Sequence, residues 1–273
     1  MTLSAFPATS REFAPTLRGV LIRWTYAFAD RPADRLGEAG AFWTTVTGTR
    51  LSEPRGERGE FMTLLPDAAT GADACVKLQG VAEGDGGAHL DLCVQDVREA
   101  AATARDLGAD LVADHGDLVV LRSPAGQLFC VVAWHGEAVR PPVVAGGRLD
   151  QVCLDIPPSA YRAESDFWAG LTGWERLAGS RPEFEVLRPP AGLPVRILLQ
   201  RLAAERPASA HLDLACADIG AVRARHERLG AVPVSHGPHW SVMRDPAGGV
   251  YCLTGRDPET GGLPGAGQGA VVA

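Results

Sequence analysis

The sequence predicts an α+β protein of two tandem modules, each of two paired βαβββ units forming a concave sheet with helices outside. Three features predict it: a segment that recurs at a fixed interval, short strands that alternate apolar and polar residues, and an amphipathic helix after each first strand. Ala88-His89-Leu90-Asp91-Leu92 returns as Ala210-His211-Leu212-Asp213-Leu214, 122 residues later. At the same interval Leu107-Gly108-Ala109 meets Leu229-Gly230-Ala231, Pro124-Ala125-Gly126 meets Pro246-Ala247-Gly248, and Cys130 meets Cys252. Earlier in each copy the interval is 125, pairing Phe42-Trp43 with Phe167-Trp168, Thr47-Gly48 with Thr172-Gly173 and Asp30 with Asp155. Gln79 meets Gln200 at 121, so the drift records loop insertions and deletions.

The last unit shows the element order most clearly. Ala210 to Cys216 alternates as a strand, and Asp218 is placed to N-cap a helix with Ile219, Val222 and Leu229 on its apolar stripe. Gly230 ends that helix, and short strands follow around Val232 and over Trp240–Met243. Asp245-Pro246-Ala247-Gly248 turns the chain into a final strand, Val250–Leu253. The second unit repeats this order, with Asp96 as the cap and Glu99 at capping-box spacing. In the third unit Leu149 to Ile156 reads as a strand, Pro158 to Leu171 as a helix, and the last strand ends over Val195–Gln200. The modules are expected over 18–137 and 148–256, joined by Ala138 to Gly147 with its Pro141-Pro142 and Gly146-Gly147. Residues 257–273, rich in Gly and Pro, are expected to be a flexible tail. Gly265-Ala266-Gly267-Gln268-Gly269 follows no strand and opens no helix, so it is no dinucleotide fingerprint.

Composition narrows the function. With 46% apolar and 22% charged residues, the 273-residue chain has the makings of soluble globular domains. A net charge of −7 without a basic run argues against a nucleic-acid partner. No apolar run approaches the ~18–20 residues of a membrane span. Arg11 and Glu12 interrupt the region where a signal peptide would be apolar. The six cysteines form no C-x-x-C pair and sit mostly in apolar strands, the pattern of reduced thiols in a cytoplasmic protein.

Strand alternation sorts the candidate site residues. In His89-Leu90-Asp91-Leu92-Cys93-Val94 the leucines and the valine share one face, while His89, Asp91 and Cys93 point the other way, into the cup. His211, Asp213 and Ala215 repeat the pattern, and Gln151, Cys153 and Asp155 share a face of their own strand. The ligand-binding candidates are Gln79, His89, Asp91, Gln151, Gln200, His211, Asp213 and Trp240. The plainer readings stand beside these. A histidine can tie a sheet together, a glutamine can tie a strand end, a cysteine can be a small core residue, and Asp91 and Asp213 could pair with Arg122 and Arg244. The Phe-Trp pairs read as core.

A His-Leu-Asp-Leu first strand, an Asp-capped helix and an Asp-Pro-x-Gly turn before the last strand resemble the vicinal oxygen chelate superfamily of glyoxalases, bleomycin-resistance proteins and extradiol dioxygenases. The resemblance spans roughly residues 18 to 256. It implies a divalent ion held by first and last strands, at Tyr26, Gln79, His89 and Cys130 in one module and Gln151, Gln200, His211 and Cys252 in the other. These sets depart from the family pattern, because cysteine replaces the last-strand Glu and Tyr or Gln replaces the first-strand His. One His, one Cys and neutral groups make a poor hard-metal site, so no metal cofactor is expected. The leading reading is small-molecule binding by tandem glyoxalase-like domains, in a monomer or homodimer. Two enzyme readings stay open: a metal-dependent glyoxalase, isomerase or dioxygenase, and a metal-free acid–base enzyme using His89 or His211.

Overall fold

The computed structural model describes residues 19–263. In the first unit β1 (Ile22–Pro32) leads through a short 3₁₀ turn to α1 (Leu36–Thr47), then β2 (Thr49–Leu51), β3 (Phe61–Pro66) and β4 (Val76–Val81). The second runs β5 (Gly87–Val94), α2 (Val97–Asp106), β6 (Asp110–Asp114), β7 (Leu118–Arg122) and β8 (Leu128–Ala133). The third comprises β9 (Gly147–Ile156), α3 (Tyr161–Thr172), β10 (Glu175–Ala178), β11 (Phe184–Arg188) and β12 (Arg196–Arg201). The fourth comprises β13 (Ser209–Cys216), α4 (Ile219–Arg228), β14 (Val232–His236), β15 (Trp240–Arg244) and β16 (Val250–Thr254).

Local chemistry sets the boundaries. Asp96 and Asp218 cap α2 and α4, accepting from the backbone N–H groups of Glu99 and Ala221 at 2.9 and 3.0 Å. α1 and α3 end at Gly48 and Gly173, whose φ of 64° and 63° places each in the left-handed region that glycine enters freely. α3 begins at Tyr161, three residues later than the sequence pattern predicts, because Pro157 to Ala160 closes a turn first. The final hairpins turn as the Pro-Ala-Gly pattern predicts, Gly126 N–H bonding Ser123 O and Gly248 N–H bonding Asp245 O.

Each module is one eight-stranded sheet, ordered β2-β3-β4-β1-β5-β8-β7-β6 and β10-β11-β12-β9-β13-β16-β15-β14. First strands β1 and β5, or β9 and β13, pair antiparallel at the centre, and each is flanked by the parallel last strand of its own unit. A local twofold therefore relates the two units of a module. The helices lie outside each cup, and the helix-bearing faces of the modules meet. β5 packs on β13, so Ala88, Leu90 and Leu92 share one core with Ala210, Leu212 and Leu214.

Helix tryptophans clasp the two modules together. Trp43 on α1 donates to Asp245 in the last turn of the second module at 3.0 Å, and Arg31 donates to the same oxygen at 2.7 Å. Both side chains of this ion pair are fully buried. The backbone at Gly249 rests on the guanidinium, where a Cβ would come within 2.0 Å of Arg31 Cζ. In the opposite direction the carboxylate changes sides. Ser123 replaces the turn aspartate, and Glu164 on α3 accepts from Ser123 Oγ, Ala125 N–H and Trp168 Nε1 at 2.6, 2.8 and 2.7 Å.

The first residues after β16 make hydrogen bonds among themselves and to β12. Asp257 N–H bonds Gly262 O, and Arg256 and Arg196 donate to Gly261 O and Thr260 O. The rest of the tail, with Gly265 to Gly269, lies outside the described residues, as does residue 18 at the expected start of the first module.

Candidate functional site

Register defines the cup floor. In the second module Cys153 lies opposite His211 and Gln151 opposite Asp213, with the twofold at the Val152–Leu212 pair. Gln151 is thus the counterpart of His211. On the flanking strands Leu198 lies beside Cys153 and Cys252 beside Asp213, which makes those two counterparts as well. Gln200 sits two residues along, beside Asp155. The first module repeats the scheme, with Tyr26 the counterpart of His89, Lys77 that of Cys130, and Gln79 displaced to a place beside Asp30. The fourfold sets implied by resemblance therefore regroup, with Lys77 and Leu198 standing where Gln79 and Gln200 were expected.

The two cups differ in what fills them. A cavity of about 590 Å³ opens over the second module's floor. Gln151, Gln200, His211, Asp213 and Trp240 all line it, as do Cys153, Asp155, Leu198 and Cys252. Phe184 meets Trp240 edge to face at 6.1 Å and gives the cavity an aromatic wall. In the first cup the side chains meet one another. The ammonium of Lys77 stands 3.8 Å from the centre of the Tyr26 ring and 3.3 Å from Asp91. Phe28 stacks on His89 at 4.1 Å, and Tyr26 donates its hydroxyl to Glu137 at 2.8 Å. Gln79 is half-buried at the edge of this cluster.

Both histidines sit between two carboxylates. His89 Nδ1 is 2.7 Å from Asp30, and its Nε2 is 3.9 Å from Asp91. His211 Nδ1 is 3.4 Å from Asp155, and its Nε2 is 3.3 Å from Asp213. Burial acts most strongly on each ring and favours its neutral form. At His89 the Asp30 and Asp91 carboxylates outweigh it, against Lys77, and raise the pKa. At His211 the flanking Asp213 and Asp155 carboxylates outweigh it and hold the pKa well above the ordinary value. Burial also pushes the thiols of Cys130, Cys153 and Cys252 up, so they are protonated at neutral pH.

Arg122 and Arg244 do not pair with these aspartates. Each guanidinium instead donates to a carbonyl of its own turn, Gly126 O and Gly248 O. Asp213 accepts from Gln151 Nε2 at 2.7 Å. The sequence reading missed Lys77, Phe28 and Leu198. The signal was present, since the repeat intervals align Tyr26, Phe28 and Lys77 with Gln151, Cys153 and Leu198.

Among the described residues three groups could hold a metal, each with ligand atoms within 4.8 Å of one another: His89, Asp91 and Cys130; Cys153, Asp155 and His211; and His211, Asp213 and Cys252. The counterparts of a four-ligand set do not fit one, because Leu198 has no donor atom and Gln151 offers only a neutral amide oxygen. The His-Asp-Cys triads are another matter. An imidazole, a carboxylate and a thiolate suit zinc with one open position better than they suit a hard-ligand manganese or iron site. In the first cup the Lys77 ammonium already stands on Asp91.

A family model described as "Glyoxalase-like domain" matches residues 27–132 and again 151–254. No functionally curated protein matches the chain in sequence. Among solved structures, the Mn(II)-bound glyoxalase from Novosphingobium aromaticivorans is 18% identical with a TM-score of 0.61, covering 87% of this chain and 82% of that one. A mutant of homoprotocatechuate 2,3-dioxygenase from Brevibacterium fuscum is 14% identical with a TM-score of 0.60, covering 89% and 74%. At such identities the likeness shows the fold alone. No helix among the described residues is long and apolar enough to cross a membrane. Twice matched along its length, and built as two sheets of paired βαβββ units, the chain belongs to the glyoxalase-like domain family of the vicinal oxygen chelate superfamily.

Proposed function

We propose that the cup of the second module binds a small organic molecule, and that the first module is its structural counterpart, closed by its own side chains. One observation carries this reading. Equivalent floor positions hold Gln151, Cys153 and Leu198 around a cavity of about 590 Å³, but Tyr26, Phe28 and Lys77 in mutual contact in the first cup. That volume falls in the usual range for small-molecule sites, and an apolar wall with a few convergent polar groups is their usual lining. Six free cysteines suit a reducing, cytoplasmic setting.

The test transplants the closed floor. A thermal-shift screen compares the natural chain with a variant carrying Gln151→Tyr, Cys153→Phe and Leu198→Lys. A ligand at a hundred times its Kd stabilises by about 2.7 kcal/mol, which raises Tm by several degrees. Compounds that do so for the natural chain are expected to leave the folded variant unmoved. Hits that shift both equally bind elsewhere, and the reading fails.

A second reading has its own support. Asp213 Oδ1 is buried without a hydrogen-bond partner beside His211 and Cys252, as a carboxylate oxygen awaiting zinc would be. Bound there, zinc would polarise a substrate oxygen or activate water. This reading expects about one zinc per chain by elemental analysis, lost on Cys252→Ser. Zinc-free protein that still binds ligand excludes it.

A further inference from the structure

The two cups share a histidine and two carboxylates but differ at one strand position, which carries a cation in the first and an apolar side chain in the second. In the first, Asp30 and Asp91 face His89 and the ammonium of Lys77, which lies against Asp91 and over the Tyr26 ring. In the second, Asp155 and Asp213 face His211, and Leu198 occupies the place of Lys77. Arg206 is 3.4 Å from Asp155, but its side chain is more than half exposed, so water and salt screen it, and it serves the other carboxylate. Asp213 accepts a neutral amide N–H from Gln151 on its Oδ2 and has His211 Nε2 3.3 Å from its Oδ1, while Arg256, which lines the same cavity, donates to Gly261 O.

The acceptors left over are as informative as the charge. Asp213 Oδ1 and Gln151 Oε1 are both buried without a hydrogen-bond partner, on residues that face each other across β9 and β13 and line the cavity. The orientation of the Gln151 amide is fixed by its donation to Asp213, since the flipped amide would set oxygen against oxygen. Asp91 Oδ1 also lacks a hydrogen bond, but there the neighbouring oxygen carries the lysine. A buried carboxylate is costly unless a cation or a set of donors meets it. An ammonium brings three N–H donors, which the orphaned acceptors of this floor lack, and one positive charge of the kind that Lys77 sets beside Asp91.

We propose that the second cup takes a ligand bearing a primary ammonium, seated against Asp213 and Gln151 where Lys77 lies in the first cup, with its apolar body along Trp240 and Phe184. The inference rests on the reading of that cup as a binding site and names the chemistry it selects. The first module then holds a tethered copy of the interaction that the second makes with a free molecule.

The experiment uses three matched probes, measured by calorimetry on the full chain: 2-naphthylmethylamine, 2-naphthylmethanol and 2-naphthoate. The amine is expected to bind about tenfold or more tighter than the alcohol, the usual range for a charge-assisted hydrogen bond, with the carboxylate weakest. Asp213→Asn should erase the amine's advantage and leave the alcohol unchanged. Leu198→Lys, which supplies a tethered ammonium, should weaken the amine at least as much, and it carries the test if Asp213→Asn does not fold. Equal binding of amine and alcohol, or an amine indifferent to both substitutions, overturns the proposal. If the alcohol is nevertheless lost in the closed-floor variant, the cup reading survives that result. Failure of all three probes to bind overturns the ammonium proposal. A zinc ion that binds stoichiometrically and excludes the amine also overturns it, by making the missing cation a metal.

Discussion

His226 shows how a single residue couples this fold to pH. It is buried on α4, with Nδ1 2.9 Å from the Tyr251 hydroxyl and its ring edge-on to Phe42 across the module interface. Burial first, and then Arg225, lower its pKa from 6.5 to about 4. The folded state thus holds a neutral ring that the unfolded chain would protonate. Its contribution to stability is complete above pH 6.5 and is lost as the pH falls from there through about 4. At ~1.4 kcal/mol per unit, the natural chain should lose about 2–3 kcal/mol more than a His226→Gln variant over that window. Urea titrations at several pH values read this directly, and parallel pH profiles for the two proteins would contradict it.

At the scale of elements, β4 and β12 decide the character of their cups through one position. The strands have the same neighbours and register, yet one carries Lys77 and the other Leu198. Replacing Lys77 by Leu should open space in the first cup and leave Asp91 buried without its cation. Breaking a buried pair in this way costs about 3–5 kcal/mol at full burial, and less here because the lysine is partly exposed. The expected outcome is a lower Tm that partly recovers in a Lys77→Leu, Asp91→Asn double variant. A Lys77→Leu chain as stable as the natural one would show that the ammonium does not balance Asp91.

Over the whole molecule, the joining of the helix-bearing faces explains why the modules diverged as a pair. Arg31 in the first module requires both Asp245 and the side-chain-free Gly249 in the second. Its counterpart in the repeat is Ile156, the matching turn carries Ser123 and Gln127, and there the carboxylate is supplied by Glu164. Asp245→Asn would leave the Arg31 guanidinium buried without its charge partner, at about 3–5 kcal/mol. Chemical denaturation should show that loss in one transition shared by both modules, because the core is continuous across them. Two separated transitions, with only one displaced, would refute the shared core.

The sequence by itself determined the duplication, the βαβββ order, the aspartate caps and the face of each strand on which His89, Asp91, His211 and Asp213 lie. These are local or periodic properties. A cap needs four consecutive residues, and alternation along a strand assigns faces without knowledge of the neighbours. It also exposed the last-strand cysteines that depart from the family's metal pattern. Tertiary structure alone decided which cup is open, which residue stands opposite which, and that the helix faces close on each other. Cup volume is what remains after side chains from strands tens of residues apart have filled the space. Periodicity says that Tyr26, Phe28 and Lys77 point inward, but only the register across β4, β1 and β5 brings them against one another and against His89. The Arg31–Asp245 pair joins residues 214 positions apart, with no local pattern to announce it. Its partner is chosen by how two whole sheets pack, which no short stretch of the chain encodes.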